Sequence, residues 1–288
     1  MLAHLSDTHL RDPADPLVRG LVDPRPRLVA ALEAAAAHAP EALVFTGDLS
    51  DDGSPASYTE LRRLVEPYAR DLDALVVWVN GNHDDRGAFA AALLGDPAAG
   101  DAALNRVHWL GGLRLLCLDS TVPGADHGEV APASLDWLAG ELAEPAPDGT
   151  ILAMHHAPLP VVQDLAASWE LLGQAALAEV IAHSDVRAVL AGHFHQSGFG
   201  TIAGVGVHAA TSLCYTQDLA TGRGIRGQDG AHGWHLVSVY ADTVTSTVAP
   251  LGHFATVVAA HDAADSATRL AARGVRIPAR PGRDAVPG

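Results

Sequence analysis

Short apolar segments alternate with longer amphipathic segments through the first two thirds of the chain. Apolar runs at residues 2–5, 42–46, 74–80, 113–119, 151–154 and 186–191 predict buried strands. The segments between them predict helices at residues 25–39, 55–70, 86–94, 132–144 and 173–184. Because parallel strands must be joined by long crossovers, this alternation indicates an α/β fold whose strands are covered on both faces.

The pattern changes beyond about residue 200. Short strands are predicted there at residues 201–203, 205–211, 235–240 and 244–248, and we expect them to form a second, more antiparallel sheet. A short helix is predicted over residues 262–273, and the Pro-, Arg- and Gly-rich end that follows favours flexibility. We therefore expect one domain over residues 1–254 and a tail over residues 255–288.

The charge of the chain limits its partners. It carries 18 basic and 34 acidic side chains, every basic one is an arginine, and the net charge is −16. This charge argues against binding to a nucleic acid polymer or an anionic membrane. No apolar stretch is long enough to span a bilayer, and no signal-type segment is visible. We expect a cytoplasmic protein, with the tail as the one segment that could associate with a membrane.

Five polar segments follow the predicted strands, at or just beyond their C-terminal ends. They are Asp7-Thr8-His9, Gly47-Asp48, Gly81-Asn82-His83-Asp84, His155-His156 and Gly192-His193-Phe194-His195. In open α/β sheets the loops at this edge converge and form sites. Side chains two residues apart in extended backbone point to the same face, so Asp7 can join His9 and His193 can join His195.

The residue types in these segments favour transition metals. Imidazole and carboxylate donors suit Fe, Mn, Zn or Ni, and Asp48 is placed to bridge two ions. Each segment alone has an ordinary explanation, since Gly-Asp is a common turn pair and adjacent histidines can be buried against carbonyl groups. Their joint occurrence at strand ends predicts a metal site. Asp51 either faces the substrate or caps the helix that begins near Pro55.

The order of the five segments resembles the calcineurin-like metallophosphoesterase superfamily, whose motifs are D-x-H, G-D, G-N-H-[DE], a histidine after an apolar strand, and G-H-x-H. The G-N-H-D form and the tandem histidines are similar to class III cyclic nucleotide phosphodiesterases. The segments LSDTHL, VFTGDL, GNHDDR and CYTQDL extend the similarity to mycobacterial cyclic-AMP phosphodiesterases. The resemblance covers roughly residues 2–252. It implies a four-layer αββα sandwich of two mixed sheets flanked by helices.

The resemblance also implies a set of site residues. One metal would be held by Asp7, His9, Asp48 and His195, and the second by Asp48, Asn82, His155 and His193. Fe and Mn are the expected pair, with Zn, Co or Ni as alternatives. The catalytic residues would be His83, which would contact the phosphate, and Asn82.

Two departures from the family pattern leave assignments open. The family's H-H-P-P block reads His155-His156-Ala157-Pro158 here, so His156 stays an alternative to His155 as the ligand. The loop over residues 123–127 also differs, which leaves its substrate contacts undecided.

The function implied is hydrolysis of 3′,5′-cyclic AMP, and also of 2′,3′-cyclic nucleotides, by attack of a metal-bridging hydroxide on phosphorus, in a homodimer. One alternative is a broad-specificity phosphodiesterase or phosphatase with another physiological substrate. The other is a metal-dependent binding scaffold without catalysis. The presence of every expected ligand disfavours the scaffold.

Overall fold

The computed structural model describes residues 1–275. The strands in this range are β1 Leu2–Leu5, β2 Ala42–Thr46, β3 Leu75–Val79, β4 Arg106–Leu110, β5 Leu113–Leu118, β6 Gly128–Glu129, β7 Thr150–His156, β8 Leu171–Leu172, β9 Val186–Gly192, β10 Gly198–Ile202, β11 Val205–Ala209, β12 Thr216–Gln217, β13 Gly227–Gln228, β14 Gly233–Val239 and β15 Val244–Pro250. The α-helices are α1 Arg25–Ala36, α2 Pro55–Leu72, α3 Arg86–Phe89, α4 Pro132–Glu141, α5 Gln174–Ile181 and α6 Ala263–Ala272. A π-helical turn, Ala90–Leu94, follows α3, and two 3-10 turns lie at Leu165–Trp169 and Leu219–Thr221.

Two mixed sheets form the centre of the molecule. The first has the order β15-β14-β1-β2-β3, with β1, β2 and β3 parallel and β14 and β15 antiparallel. The second has the order β10-β11-β9-β7-β5-β4, with its four inner strands parallel and both edge strands antiparallel. The crossovers from β1 to β2, β2 to β3, β5 to β7 and β7 to β9 carry helices, as the sequence predicts, whereas β9 and β11 are joined through β10.

Three apolar layers separate the two sheets and their helices. Between the sheets, side chains such as Val44 and Val77 of the first sheet meet Leu115, Ile151 and Leu190 of the second. The outer face of the first sheet packs against α1 and α2, and the outer face of the second packs against α4 and α5. The predicted four-layer αββα sandwich is therefore confirmed.

Helix α2 follows the loop after β2 and fixes where that loop ends. Ser54 is its N-cap and accepts a hydrogen bond from the backbone N–H of Ser57 at 3.1 Å, while Pro55 begins the helix. Asp73 ends the helix in the left-handed conformation. The alternative that Asp51 caps this helix is therefore wrong, because Ser54 holds that position.

The strands beyond residue 200 do not form a sheet of their own, so this prediction is wrong. β10 and β11 extend the second sheet, whereas β14 pairs with β1 of the first sheet. Both sheets have an edge whose backbone groups need partners, and strand periodicity cannot say which edge a later strand will join. Strand β4 was not predicted because its side chains are half-buried and lack a clear alternation.

Two local differences concern the site and the tail. Strand β7 runs on to His156, so both histidines belong to a strand and not to a loop. Helix α6 agrees with the predicted helix over residues 262–273. The flexible end predicted for the tail lies outside the described residues, and the domain boundary at residue 254 stays a prediction. Within residues 1–275, no helix combines the length and apolarity needed to cross a membrane.

Candidate metal centre

Parallel strands of both sheets bring the predicted ligands to one edge of the sandwich. Asp7, Asp48 and Asn82 follow β1, β2 and β3, whereas His155 lies at the end of β7 and His193 follows β9. Five of the predicted ligands have a positive φ, with values from 45° to 78°: Asp7, His9, Asp48, His193 and His195. Such backbone costs about 1–3 kcal/mol per residue. The chain therefore turns sharply at each strand end to direct these side chains inward.

Two glycines permit the close approach of the loops. At Gly47, whose φ is +89°, a Cβ atom would lie 2.4 Å from Nδ1 of His155. At Gly81 a Cβ atom would lie 2.2 Å from the backbone nitrogen of Asp48. No side chain fits at either position without displacing a predicted ligand.

The first cluster contains Asp7, His9, Asp48 and His195. One potential ligand atom of each lies within 4.8 Å of the others, and all four residues are buried. Nε2 of His9 is 3.0 Å from Nε2 of His195 and 3.6 Å from Oδ2 of Asp48, while Nε2 of His195 is 3.4 Å from Oδ1 of Asp7. Two carboxylates and two imidazoles thus converge on one point.

The second cluster shares Asp48 with the first. Nε2 of His155 lies 3.3 Å from Oδ1 of Asp48, 3.1 Å from Oδ1 of Asn82 and 3.2 Å from Nδ1 of His193. The structure thus brings together all seven residues that the sequence proposed as ligands, with Asp48 between the two groups.

The other nitrogen of each of these four histidines faces an oxygen acceptor. Nδ1 of His9 faces Oδ1 of Asp51 at 3.2 Å, and Nδ1 of His195 faces the carbonyl of Tyr215 at 2.7 Å. Nδ1 of His155 faces the carbonyl of Thr46, and Nε2 of His193 faces the carbonyl of Trp169, both at 2.8 Å. These acceptors can only receive a proton, so the second nitrogen of each ring is left with its lone pair toward a cluster.

Lone pairs therefore face each other in two places, at His9–His195 and at His155–His193. Two acceptor nitrogens about 3 Å apart repel each other unless a cation or a proton lies between them. One such pair occurs in each cluster. The donor set thus fits two metal ions with shared carboxylate coordination by Asp48.

Charge in the clusters is consistent with cation binding. Burial would raise the pKa of Asp48, but His155 and His9 hold it well below its ordinary value, so the carboxylate stays ionised. Burial also opposes ionisation of His155, but Asp48 outweighs this and raises the His155 pKa to about 9. In the absence of a cation, a proton would therefore occupy the position beside Asp48. Burial, followed by His156 and His155, keeps the pKa of His193 well below its usual range.

His156 differs from His155 in where its ring nitrogens point. Nδ1 of His156 pairs with the hydroxyl of Ser120 at 2.9 Å, and Nε2 donates to the carbonyl of Asp126 at 3.2 Å. A ring nitrogen of His156 also comes within 4.8 Å of His155 and His193. Both of its nitrogens are nevertheless engaged by the chain. His156 thus connects β7 to the loop over residues 123–127, which departs from the family pattern and places Asp126 in the wall of the cavity described below.

His83 lies at the surface of the centre and outside both clusters of ligands. Its side chain is 38% exposed, and its backbone N–H donates to Oδ1 of Asp48 at 2.9 Å. Its ring packs edge-on against His9, with 4.8 Å between centroids. Burial lowers the pKa of His83, but Asp48 and Asp51 raise it above its ordinary value. A third group of potential ligands, His9, Asp51 and His83, lies on this side.

Asp51 joins these residues from behind. Besides His9, it pairs with Nη1 of Arg11 at 2.8 Å, and its carbonyl lies 3.3 Å from Nδ1 of His83. Burial would raise its pKa, but the hydrogen bond to His9 and the other partners lower it to about 2. The structure supports neither alternative for Asp51, because Ser54 caps α2 and Asp51 is not among the residues that line the cavity described below; instead, Asp51 fixes the orientation of His9.

Asp84 has a structural role that the sequence did not assign. Its carboxylate accepts hydrogen bonds from the backbone N–H groups of Leu49, Ser50 and Gly81 at 2.8–3.1 Å, and from the hydroxyl of Tyr58 at 3.0 Å. Burial raises its pKa to about 6. Asp84 thereby ties the loop after β2 to the loop after β3. Its place in the Gly-Asn-His-Asp segment is the only sequence signal for it.

A cavity of about 830 Å³ opens over the metal centre. Asp48, Asn82, His83, His193 and His195 form its floor. Its walls come from the segment over residues 18–22, from Asp126 and Trp169, and from the hairpin β12–β13 with Tyr215 before it. The sequence singled out CYTQDL by its similarity to the family, and it gave no signal for residues 18–22.

The sequence profile of the calcineurin-like phosphoesterase family matches residues 1–197. The chain belongs to the calcineurin-like phosphoesterase family. Among relatives of this calcineurin-like phosphoesterase, a probable cyclic nucleotide phosphodiesterase from Rhodococcus erythropolis is 51% identical over 279 residues, which cover 96% of this chain and 92% of the relative. A cAMP/cGMP dual specificity phosphodiesterase from Mycobacterium tuberculosis is 52% identical over 260 residues, which cover 89% of this chain and 81% of the relative.

A solved structure has the same fold. A dimetal phosphatase from Danio rerio aligns with a TM-score of 0.62 at 14% identity, over 86% of this calcineurin-like phosphoesterase and 95% of that chain. The family match over residues 1–197 and the two relatives confirm the family resemblance seen in the five polar segments.

Proposed function

We propose that this protein is a binuclear metal-dependent phosphodiesterase that hydrolyses cyclic nucleotides, with 3′,5′-cyclic AMP as the first candidate and 2′,3′-cyclic nucleotides as further substrates. The observation that carries the proposal is the pair of donor clusters that share Asp48 on the floor of an open cavity. The names of the relatives, both cyclic nucleotide phosphodiesterases, support this substrate class.

Each metal would have four protein ligands. Asp7, His9, Asp48 and His195 would hold one ion. The second ion would be held by Asp48, Asn82, His155 and His193. We favour His155 over His156 because Nε2 of His155 faces Asp48 and Asn82, whereas both nitrogens of His156 are engaged elsewhere.

When bound, two such cations polarise the phosphoryl oxygens and generate a nucleophile from water at neutral pH. We propose Fe and Mn as the pair, with Zn, Co or Ni as substitutes. The mixed imidazole and carboxylate donors support a transition metal. They disfavour only cations such as Mg²⁺ and Ca²⁺, which prefer a set of oxygen ligands.

The protein's own contribution comes from His83 and Asn82. His83 lies on the cavity floor, where its ring can donate a hydrogen bond to the phosphate and, when protonated, a proton to the leaving oxygen. Its contact with the carbonyl of Asp51 orients the ring. The amide oxygen of Asn82 lies 3.1 Å from Nε2 of His155, so both atoms can hold the same ion, and the rest of the Asn82 side chain would lie beside the substrate phosphate.

We also propose a cytoplasmic enzyme that acts as a homodimer on a small phosphodiester. The net charge of −16 supports a small-molecule substrate over a nucleic acid polymer.

A substrate panel tests the proposed function. The kcat/KM of the metal-loaded enzyme is compared for 3′,5′-cyclic AMP, 2′,3′-cyclic AMP, bis(4-nitrophenyl) phosphate and 4-nitrophenyl phosphate. We expect hydrolysis of all three diesters, the highest kcat/KM for a cyclic nucleotide, and little hydrolysis of the monoester. A preference for the aryl diester or the monoester would favour a broad-specificity enzyme, and no turnover with both metals bound would favour a binding scaffold.

A further inference from the structure

The cavity extends well beyond the metal centre, and its outer wall is built from residues that the chemistry at phosphorus does not need. This wall contains Arg19 from the segment after β1, and Tyr215 and Gln217 from the start of the β12–β13 hairpin. In a cyclic nucleotide the only charged group is the phosphate, which would lie at the metals. The ribose and the base must therefore occupy the space beside this wall.

Backbone hydrogen bonds fix the position of the wall relative to the centre. The carbonyl of Tyr215 accepts from Nδ1 of His195, and the N–H of Gln217 donates to the carbonyl of His195 at 3.1 Å. The ring of Tyr215 packs beside the His195 ring, with 4.3 Å between centroids. The hairpin and a predicted metal ligand thus form one continuous unit, so the wall is pre-organised.

Arg19 lines the cavity with a guanidinium that contacts Tyr215 and that no described carboxylate neutralises. Its guanidinium lies over the ring of Tyr215, with its central carbon 5.8 Å from the ring centroid. Within residues 1–275, no carboxylate lies within ion-pairing distance of Arg19, whereas Arg226, the other arginine of this cavity, is paired with Asp218 at 2.6 Å. Arg19 also has a positive φ of 51°, which is uncommon for a residue other than glycine. A guanidinium plane is a good stacking surface for a nucleobase.

Gln217 offers a complementary polar group. Its side-chain oxygen is buried and has no hydrogen-bond partner among the described residues. A buried polar atom without a partner is unfavourable, so a donor supplied by a ligand would be a gain. A carboxamide can pair with the edge of a purine, accepting from an exocyclic amino group and donating to a ring nitrogen.

We propose that Arg19, Tyr215 and Gln217 form the subsite for the nucleobase of the substrate, in which Arg19 stacks on the base and Gln217 pairs with its polar edge. This inference rests on the proposed function, because it assumes that the phosphate lies at the metal centre. It makes Arg19 and Gln217 determinants of specificity for nucleotides over simple phosphodiesters.

A comparison of 5′-AMP with ribose 5-phosphate separates the contribution of the base to binding from that of the phosphate. Their Kd values are measured by calorimetry on the Mn²⁺-loaded protein, for the wild type and for Arg19→Gln and Gln217→Leu. Since stacking on a base is lost, we expect the Kd of 5′-AMP to rise about tenfold in Arg19→Gln. Gln217→Leu, which keeps the size of the side chain, should also weaken 5′-AMP severalfold. The Kd of ribose 5-phosphate should stay within about twofold in both variants, because it carries no base.

Arg70→Gln is the matched control. Arg70 is also exposed, lies outside the cavity at the end of α2, and its replacement makes the same change in net charge. It should leave both Kd values unchanged. If Arg19→Gln raises the Kd of 5′-AMP and the Kd of ribose 5-phosphate by the same factor, Arg19 acts on the phosphate and the proposed subsite is wrong. The subsite is also wrong if neither variant changes the Kd of 5′-AMP, or if the wild type binds 5′-AMP no better than ribose 5-phosphate.

Kinetics distinguish this inference from the proposed function. For 3′,5′-cyclic AMP, Arg19→Gln should raise KM about tenfold with kcat within about twofold of the wild type. If the wild type binds 5′-AMP through its base but hydrolyses no cyclic nucleotide, the proposed function fails while the subsite stands. If cyclic AMP is hydrolysed with unchanged KM in both variants, the subsite fails while the proposed function stands.

Discussion

His9 and His195 face each other through Nε2 atoms 3.0 Å apart, although Asp51 and the carbonyl of Tyr215 require each ring to carry its proton on Nδ1. This arrangement places two lone pairs together beside two buried carboxylates. It is unfavourable on its own, and a bound cation makes it favourable.

Metal removal should therefore destabilise the folded protein. Each ion present at about a hundred times its Kd stabilises the native state by about 2.7 kcal/mol, so two ions contribute about 5.4 kcal/mol, which corresponds to about 10–20 °C in Tm for a chain of this size. We expect chelation followed by dialysis to lower the Tm by this amount in scanning calorimetry, and Mn²⁺ to restore it. An equal Tm with and without metal would mean that the facing nitrogens do not bind a cation.

Replacing Asp51 should weaken binding of the metal at the cluster that contains His9, without removing any proposed ligand. Asp51 fixes the ring of His9 from the side opposite to the cluster, and the loss of such a partner commonly lowers metal affinity or activity about 10- to 100-fold. Metal titration of Asp51→Ala should show this loss. Asp15→Ala is the control, because Asp15 is exposed and pairs with the same Arg11 but not with His9. Equal metal affinities in Asp51→Ala and Asp15→Ala would show that Asp51 does not support metal binding through His9.

The choice between His155 and His156 can be tested by metal content. Nε2 of His155 points at Asp48 and Asn82, whereas the two ring nitrogens of His156 form hydrogen bonds with the hydroxyl of Ser120 and the carbonyl of Asp126. We expect purified His155→Ala to bind about one metal less per chain than the wild type, and His156→Ala to keep the full complement with a lower Tm. The reverse pattern, measured by elemental analysis, would make His156 the ligand.

A buried histidine that is not among the proposed ligands should make stability depend on pH. His235 is buried on β14 between the hydroxyls of Ser197 and Ser246, and burial, followed by His208, lowers its pKa to about 4. Between about pH 6.5 and pH 4 the unfolded chain binds the proton more tightly, so stability falls as the pH falls through this range. His235 alone should cost about 2 kcal/mol of unfolding free energy at pH 5 relative to pH 7.5. Urea unfolding of the wild type and His235→Gln should show a smaller pH dependence in the variant, and equal slopes would contradict this account.

Much of the site could be predicted from the sequence because its residues follow parallel strands. Asp7, Asp48 and His193 lie tens of residues apart, but the shared strand direction takes all of them to one edge. The pairing of β14 with β1 was beyond prediction, since both sheets offered an open edge. Arg19 and Tyr215 were not predicted as a wall of the cavity, because their segments carry no periodic pattern and meet only through tertiary contacts. The role of Asp84 likewise depends on backbone groups from two loops.

The central claim is that Asp48 bridges two metals that serve hydrolysis of a cyclic phosphodiester. Metal content and turnover of 3′,5′-cyclic AMP, measured together on the wild type, Asp48→Asn and His83→Ala, test it most directly. We expect the wild type to hold two metals per chain and to hydrolyse the substrate, and Asp48→Asn to lose both metal binding and hydrolysis. His83→Ala should hold two metals, with kcat lowered about 100-fold or more. Full activity of Asp48→Asn, or a wild type that holds two metals and hydrolyses no phosphodiester, would contradict the account.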